Sequence, residues 1–104
     1  MTISQIGGAR VGFFMNATWP FAKLVANSDE LTLRVLVIKY SFPKASIVRI
    51  SEYAGPLAGV LPRFITSGLR IEHRNKNAPD FVVFWTPHSS DLLKQLASMG
   101  YQTS

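Results

Sequence analysis

Residues 68–101 constrain the fold of this chain more than any other stretch. They read G-L-R-I-E-H-R, a polar turn, F-V-V-F-W-T, and then P-H-S-S-D-L-L-K-Q-L-A-S-M-G-Y. Leu69, Ile71 and His73 alternate with Arg70, Glu72 and Arg74, the period-two pattern of a half-buried strand. Residues 75–79 (N-K-N-A-P) are a polar loop. Residues 81–86 form a continuous apolar run of strand length, expected to be central and covered on both faces. Leu92, Leu93, Leu96, Ala97 and Met99 then recur at helical spacing. Ser89 or Ser90 is the expected N-cap, Asp91 suits the positive end of the helix dipole, and Gly100 is a natural C′ residue. The block is strand, turn, strand and closing helix, with Phe84, Trp85 and the Leu92, Leu93 and Leu96 face as its expected core. It carries no recognisable chemistry.

Upstream, the pattern predicts further strands. Residues 1–9 are small and polar around Gly7-Gly8 and are expected to be a flexible lead-in. Val11, Phe13 and Met15 alternate over a strand at 10–17, broken by Thr18-Trp19-Pro20 and resumed over 21–26. Asn27-Ser28-Asp29-Glu30 is a strong turn signal. Leu31, Leu33, Val35 and Val37 alternate with Thr32 and Arg34 in a half-buried strand, interrupted at Ser41-Phe42-Pro43-Lys44. Residues 47–53 are again β. A strand at 60–66 carries Pro62, which removes a ladder donor and places it at an edge or a bulge. The sum is about seven antiparallel strands and one C-terminal helix. Such a helix has one obvious use, to cover the open side of a curved sheet with its leucine face.

The 104 residues make one domain over 10–104, with 47% hydrophobic residues to build its core. No cysteine is present, so disulfides, thiolate metal sites and thiol catalysis are excluded. No apolar run reaches the roughly 18 residues of a membrane-spanning helix. The N-terminus lacks the features of a signal peptide, and a cytoplasmic location is expected. Eleven Lys+Arg against six Asp+Glu give a net charge of +5, which favours anionic partners. The cations are spread along the chain without a run, as on an ordinary solvated surface.

Trp19-Pro20, Phe42-Pro43-Lys44, Gly68-Leu69-Arg70-Ile71-Glu72-His73, Phe84-Trp85-Thr86 and the terminal L-L-x-x-L-x-x-x-G-Y occur in this order. Together they resemble the pleckstrin-homology (PH) superfold, and small bacterial PH-like proteins in particular. The resemblance implies a split β-barrel capped by the helix. It places a ligand mouth at the loops after strands one, three and six, here 17–19, 39–46 and 75–79. Lys39, Lys44, Arg74 and Lys76 then edge that mouth. Phosphoinositide-binding PH domains cluster Lys and Arg on the first two strands and their hairpin. Here Asn16-Ala17-Thr18-Trp19-Pro20 offers no cation, so the resemblance does not extend to that phosphate cradle.

The motifs that look chemical have plainer explanations. Ser41-Phe42-Pro43-Lys44 matches S-x-x-K, but that chemistry needs a helix start, and Pro43 disfavours a helical Phe42. His88-Ser89-Ser90-Asp91 holds the residue types of a serine triad, but adjacent residues cannot converge as a triad must. His73 and His88 lack any metal-ligand spacing, and His73, on the face of Leu69 and Ile71, is expected to be partly buried and hydrogen-bonded. Asn16-Ala17-Thr18 is a glycosylation pattern without a secretory context. Trp85 is expected in the core, whereas Trp19, in an expected loop, is the candidate contact residue.

The resulting expectation is a non-enzymatic, PH-like binding or scaffold domain without cofactor or metal. It would act through a protein partner or through self-association. The alternative is an anion-binding module for lipid head groups or nucleic acid through Lys39, Lys44, Arg74 and Lys76.

Overall fold

A computed structural model describes residues 2–12, 15–55, 59–62 and 66–104. Seven strands follow one another as β1 (Ile3–Val11), β2 (Met15–Ala26), β3 (Glu30–Val35), β4 (Ile38–Pro43), β5 (Ile47–Ala54), β6 (Ser67–His73) and β7 (Val82–Trp85). A 3-10 turn, Lys44–Ser46, joins β4 to β5, and helix α1 (Ser89–Ser98) comes last. All strand pairs are antiparallel, in the order β4-β3-β2-β1-β7-β6-β5, and the sheet curls into a half-barrel. Two meanders, β1–β4 and β5–β7, are thus joined where β1 pairs with β7.

The alternation of β3 sets the inner face: Leu31, Leu33 and Val35 are fully buried while Arg34 faces solvent. Leu24, Phe42, Ile50, Leu69, Ile71 and Phe84 join them from five other strands. Leu92 and Leu96 of α1 close this core, as the leucine spacing predicts. The helix ends in a Schellman arrangement, with Gly100 N–H donating to the Ala97 carbonyl and Tyr101 N–H to the Leu96 carbonyl. The turn at 27–30 also forms as its sequence predicts. The Asn27 side-chain oxygen accepts from the backbone N–H of Asp29 and of Glu30.

The expected lead-in over 1–9 is corrected: Ile3–Val11 is strand β1, and it lies mid-sheet between β2 and β7. Its small residues permit close approach rather than fraying. A Cβ on Gly7 would stand 2.3 Å from the Trp85 carbonyl oxygen. The expected strand over 10–17 ends instead at Val11, with residues 13 and 14 outside the described residues. The expected break at Thr18-Trp19-Pro20 is a bulge inside β2. Gly7 pairs with Ala22 and Ala9 with Ala17, so Gly8 alone opposes residues 18–21, and the Trp19-Pro20 bond is cis. The break expected at 41–44 falls at the 3-10 turn Lys44–Ser46, and a turn not expected from the sequence precedes it. The chain turns at Leu36-Val37, between the paired Val35 and Ile38, and 38–43 is strand. The strand expected over 60–66 includes residues 63–65, which lie outside the described residues.

Both sheet margins carry added bonds. Along β5, Ile50 N–H donates to the Gln102 carbonyl and Ser104 N–H to the Ile50 carbonyl, so Thr103 forms a parallel bridge with Ile50. At β4, the Asn75 side-chain amide donates to the Ser41 carbonyl at 2.7 Å.

Candidate functional site

The five residues singled out from the sequence occupy separate elements. Trp19 projects from the β2 bulge and is 53% exposed. Lys39 is exposed on β4, and Arg74 and Lys76 are exposed beyond the end of β6. Lys44 is engaged elsewhere: its Nζ donates to the Met99 carbonyl at 2.6 Å and lies 4.8 Å from the centre of the Tyr101 ring. It therefore neutralises the negative end of α1. Among the described residues no side-chain hydrogen bond or ion pair links these five to one another. Of the three expected mouth segments, 17–19 lies in β2 and 39–46 is β4 with its 3-10 turn, whereas 75–79 follows β6 as a loop.

The structure draws together a different set. On the outer face of β1, β7, β6 and β5, cross-strand pairing puts Gly8, Trp85, Gly68 and Tyr53 in one row. Arg10, Val83, Arg70 and Ser51 form the next. Directly opposed residues of an antiparallel pair project to the same side, so one face carries three aromatic or apolar residues and two arginines. Gly68 leaves room for the indole. A Cβ there would come within 3.1 Å of the Trp85 ring and 2.3 Å of the Phe84 carbonyl oxygen. The Tyr53 ring meets Phe81 edge-on at 5.7 Å and Trp85 at 5.8 Å.

These residues bound a cleft of about 720 Å³ whose described walls are Arg10, Gly12, Tyr53, Ala54, Pro79, Asp80, Phe81 and Trp85. That size and this aromatic lining suit a ligand held mainly by apolar contact with a few polar groups at the rim. The Arg70 guanidinium stacks 5.3 Å from the centre of Phe81, and its Nε is buried without a hydrogen-bond partner among the described residues. A planar cation on an aromatic face stiffens that wall. Asp80 places one carboxylate on the same wall, so the lining is not uniformly basic.

The sequence pointed elsewhere for a physical reason. A continuous apolar run shows that β7 is covered on both faces. It does not show that Val82 and Phe84 join the core while Trp85 lines an outer cleft. The flanking glycines, Gly8 and Gly68, are signals only after pairing sets them beside Trp85.

The polar residues of the closing block are held in structural bonds. His73 Nδ1 accepts from the Asn75 N–H at 3.0 Å, so Nε2 carries the proton it donates to the Pro79 carbonyl at 2.8 Å. The expected capping by Ser89 or Ser90 is corrected: His88 is the N-cap residue and no side chain caps it. Ser89 is fully buried and donates to Glu52 Oε1 at 3.0 Å, with Ser67 Oγ at 3.2 Å. Its hydroxyl is drawn inward by these partners, away from the helix N–H groups. Among the described residues no three of His, Asp and Glu gather as metal ligands, and no helix is long and apolar enough to cross a membrane.

Comparison with protein-family models, curated proteins and solved structures gives no match to this chain.

Proposed function

We propose that this chain is a non-enzymatic, PH-like binding domain that takes an extended segment of a partner protein in the cleft of Tyr53, Phe81 and Trp85. The sheet order, a four-strand and a three-strand meander closed by one helix, supports the PH-like reading. The observation that carries the function is the position of Trp85. A large aromatic ring, itself 9% exposed, lies on the outer face of the sheet beside Tyr53, which packs in turn on Phe81, and it lines the cleft. Aromatic-lined grooves recognise extended, preordered segments, proline-containing ones above all. Arg10 and Arg70 on the adjoining row favour an acidic residue beside the apolar one. The ligand class is thus an extended peptide pairing proline or another apolar side chain with an acidic neighbour. Residues Lys39, Lys44, Arg74 and Lys76 do not enter this site.

The test is a titration of the isotopically labelled chain with a proline-rich peptide bearing acidic residues and with a scrambled polar control. The Trp85 indole resonance should shift saturably with the first peptide alone, and Trp85→Ala should remove binding. If the Trp85 signal stays unmoved at millimolar peptide while other surfaces respond, the cleft is not the binding site.

A further inference from the structure

The other half of the sheet carries a second surface. Ile6 pairs with Lys23, Lys23 with Arg34, and Arg34 with Lys39, so three cations stand directly opposite one another on β2, β3 and β4. All three are exposed. None makes an ion pair among the described residues. Adjacent strands lie about 4.8 Å apart, which puts the three Cα atoms within roughly 10 Å. Like charges directly opposed across strands are destabilising, so the row is held against its own repulsion.

Beside it lies an apolar tip. The β3–β4 turn is Leu36-Val37, where a two-residue hairpin ordinarily takes glycine, asparagine or aspartate. Val37 is 94% exposed and Leu36 54% exposed, and Leu36 holds the left-handed backbone conformation, φ +57°. A bulky residue rarely adopts that conformation, and such strain gathers at functional sites. The Leu36 N–H donates to the Phe21 carbonyl, and Phe21 is 57% exposed. Trp19 projects from the bulge just before it. An exposed aliphatic and aromatic edge therefore borders a row of exposed cations.

From this arrangement we infer that the outer face of β2–β4 docks on an anionic phospholipid bilayer. Leu36, Val37 and Phe21 enter the interfacial region, Trp19 lies at headgroup level, and Lys23, Arg34 and Lys39 face the lipid phosphates. Charge favours any polyanion, but a nucleic acid offers an aliphatic hairpin tip nothing to bury it. A bilayer accommodates both features at once. This is a flat-surface contact rather than a headgroup cradle, and it is independent of the aromatic cleft, which lies on the β1, β5, β6 and β7 half.

Co-sedimentation of the full chain tests it, using vesicles of phosphatidylcholine alone and vesicles with about one-third phosphatidylglycerol, the anionic surface that attracts juxtamembrane cations. Binding should require the anionic lipid and weaken as salt rises. Each of Lys23→Gln, Arg34→Gln and Lys39→Gln should weaken partitioning roughly fivefold, and the triple variant on the order of a hundredfold. The double variant Leu36→Gly with Val37→Asn supplies suitable turn residues. It should fold at least as stably as the parent yet lose roughly tenfold in binding, because the inserted aliphatic area is gone. Trp19 emission should shift to the blue on anionic vesicles.

Three results would overturn the inference. One is vesicle binding indifferent to these substitutions. Another is equal or tighter binding to an oligonucleotide that depends on the three cations but not on the tip. The last is concentration-dependent dimerisation abolished by the tip variant, which would assign the face to a second copy. Peptide titration of the Trp85 cleft in the same variants should be unchanged, so failure here leaves the cleft reading standing.

Discussion

Lys44 donates its ammonium proton to the Met99 carbonyl at 2.6 Å, joining the 3-10 turn after β4 to the last turn of α1. The two residues are distant in sequence, and the bond fixes the C-terminal end of the helix over the sheet. A lysine that reads as a ligand-loop cation is thereby a helix anchor. Replacing it with methionine keeps the aliphatic stem and removes the charged donor. Lys44→Met should cost about 1–2 kcal/mol, since hydrogen bonds from charged groups and helix-end cations contribute on that order. Thermal melting should show a loss of several degrees, about 4–8 °C per kcal/mol for a domain near this size. Vesicle and peptide binding should be unaltered.

Tyr101 lies beside that anchor. Its hydroxyl donates to the Asn27 carbonyl at 2.8 Å. Burial, and then the carboxylates of Glu30 and Asp29, push the phenol up to about 12. An unfolded tyrosine ionises near ~10, so the folded state keeps the proton longer. The contribution is fully present below about pH 10 and is lost as pH rises toward the folded value. Denaturant unfolding between these limits should show stability falling more steeply in the parent than in Tyr101→Phe. Phenolate absorbance should show one tyrosine ionising late in the parent, absent from the variant.

Ser89 supplies a second helix contact, at the opposite end. Ser89→Ala removes the donor to Glu52 and the neighbour of Ser67, and no cap on the helix N–H groups is lost with it. The cost should be about 1–2 kcal/mol, that of a part-buried hydrogen bond to a charged acceptor. Equilibrium unfolding in urea measures it.

Leu36→Gly should raise stability. A left-handed conformation costs a bulky residue roughly 1–2 kcal/mol, part of which glycine gives back through its freer unfolded chain. A net gain near ~1 kcal/mol in denaturant melts is the expected outcome. A loss would mean that the exposed Leu36 side chain contributes more to the fold than its surroundings indicate.

What could be read from the sequence follows from how local each signal is. The alternation of Leu31, Leu33 and Val35, the Asx turn at Asn27 and the Gly100 terminus are set by near neighbours, and each forms as its residues predict. The central strand β7 and the leucine face of α1 are legible for the same reason. Strand β1 is not. Its small residues resemble a tail until the curl of the sheet shows that Gly7 must pass close to Trp85. The β3–β4 turn hides because Leu36-Val37 carries apolar residues where turn chemistry is expected. Both candidate surfaces are products of register. Lys23, Arg34 and Lys39 are scattered in sequence and become one row only through pairing. Tyr53 and Trp85 are likewise brought together by the strands between them.

The bonds along the two outermost strands bear on how copies of this chain can meet. An open sheet ordinarily offers unsatisfied backbone groups at each rim, an invitation to strand-by-strand polymerisation. Here residues 102–104 occupy the middle of β5, and the Asn75 amide occupies a carbonyl of β4. A neighbour could extend the ladder at β5 only by first peeling those residues away. The β5 rim is thereby closed over its middle, and a neighbouring strand is left the β4 rim, where the Asn75 amide takes up one carbonyl.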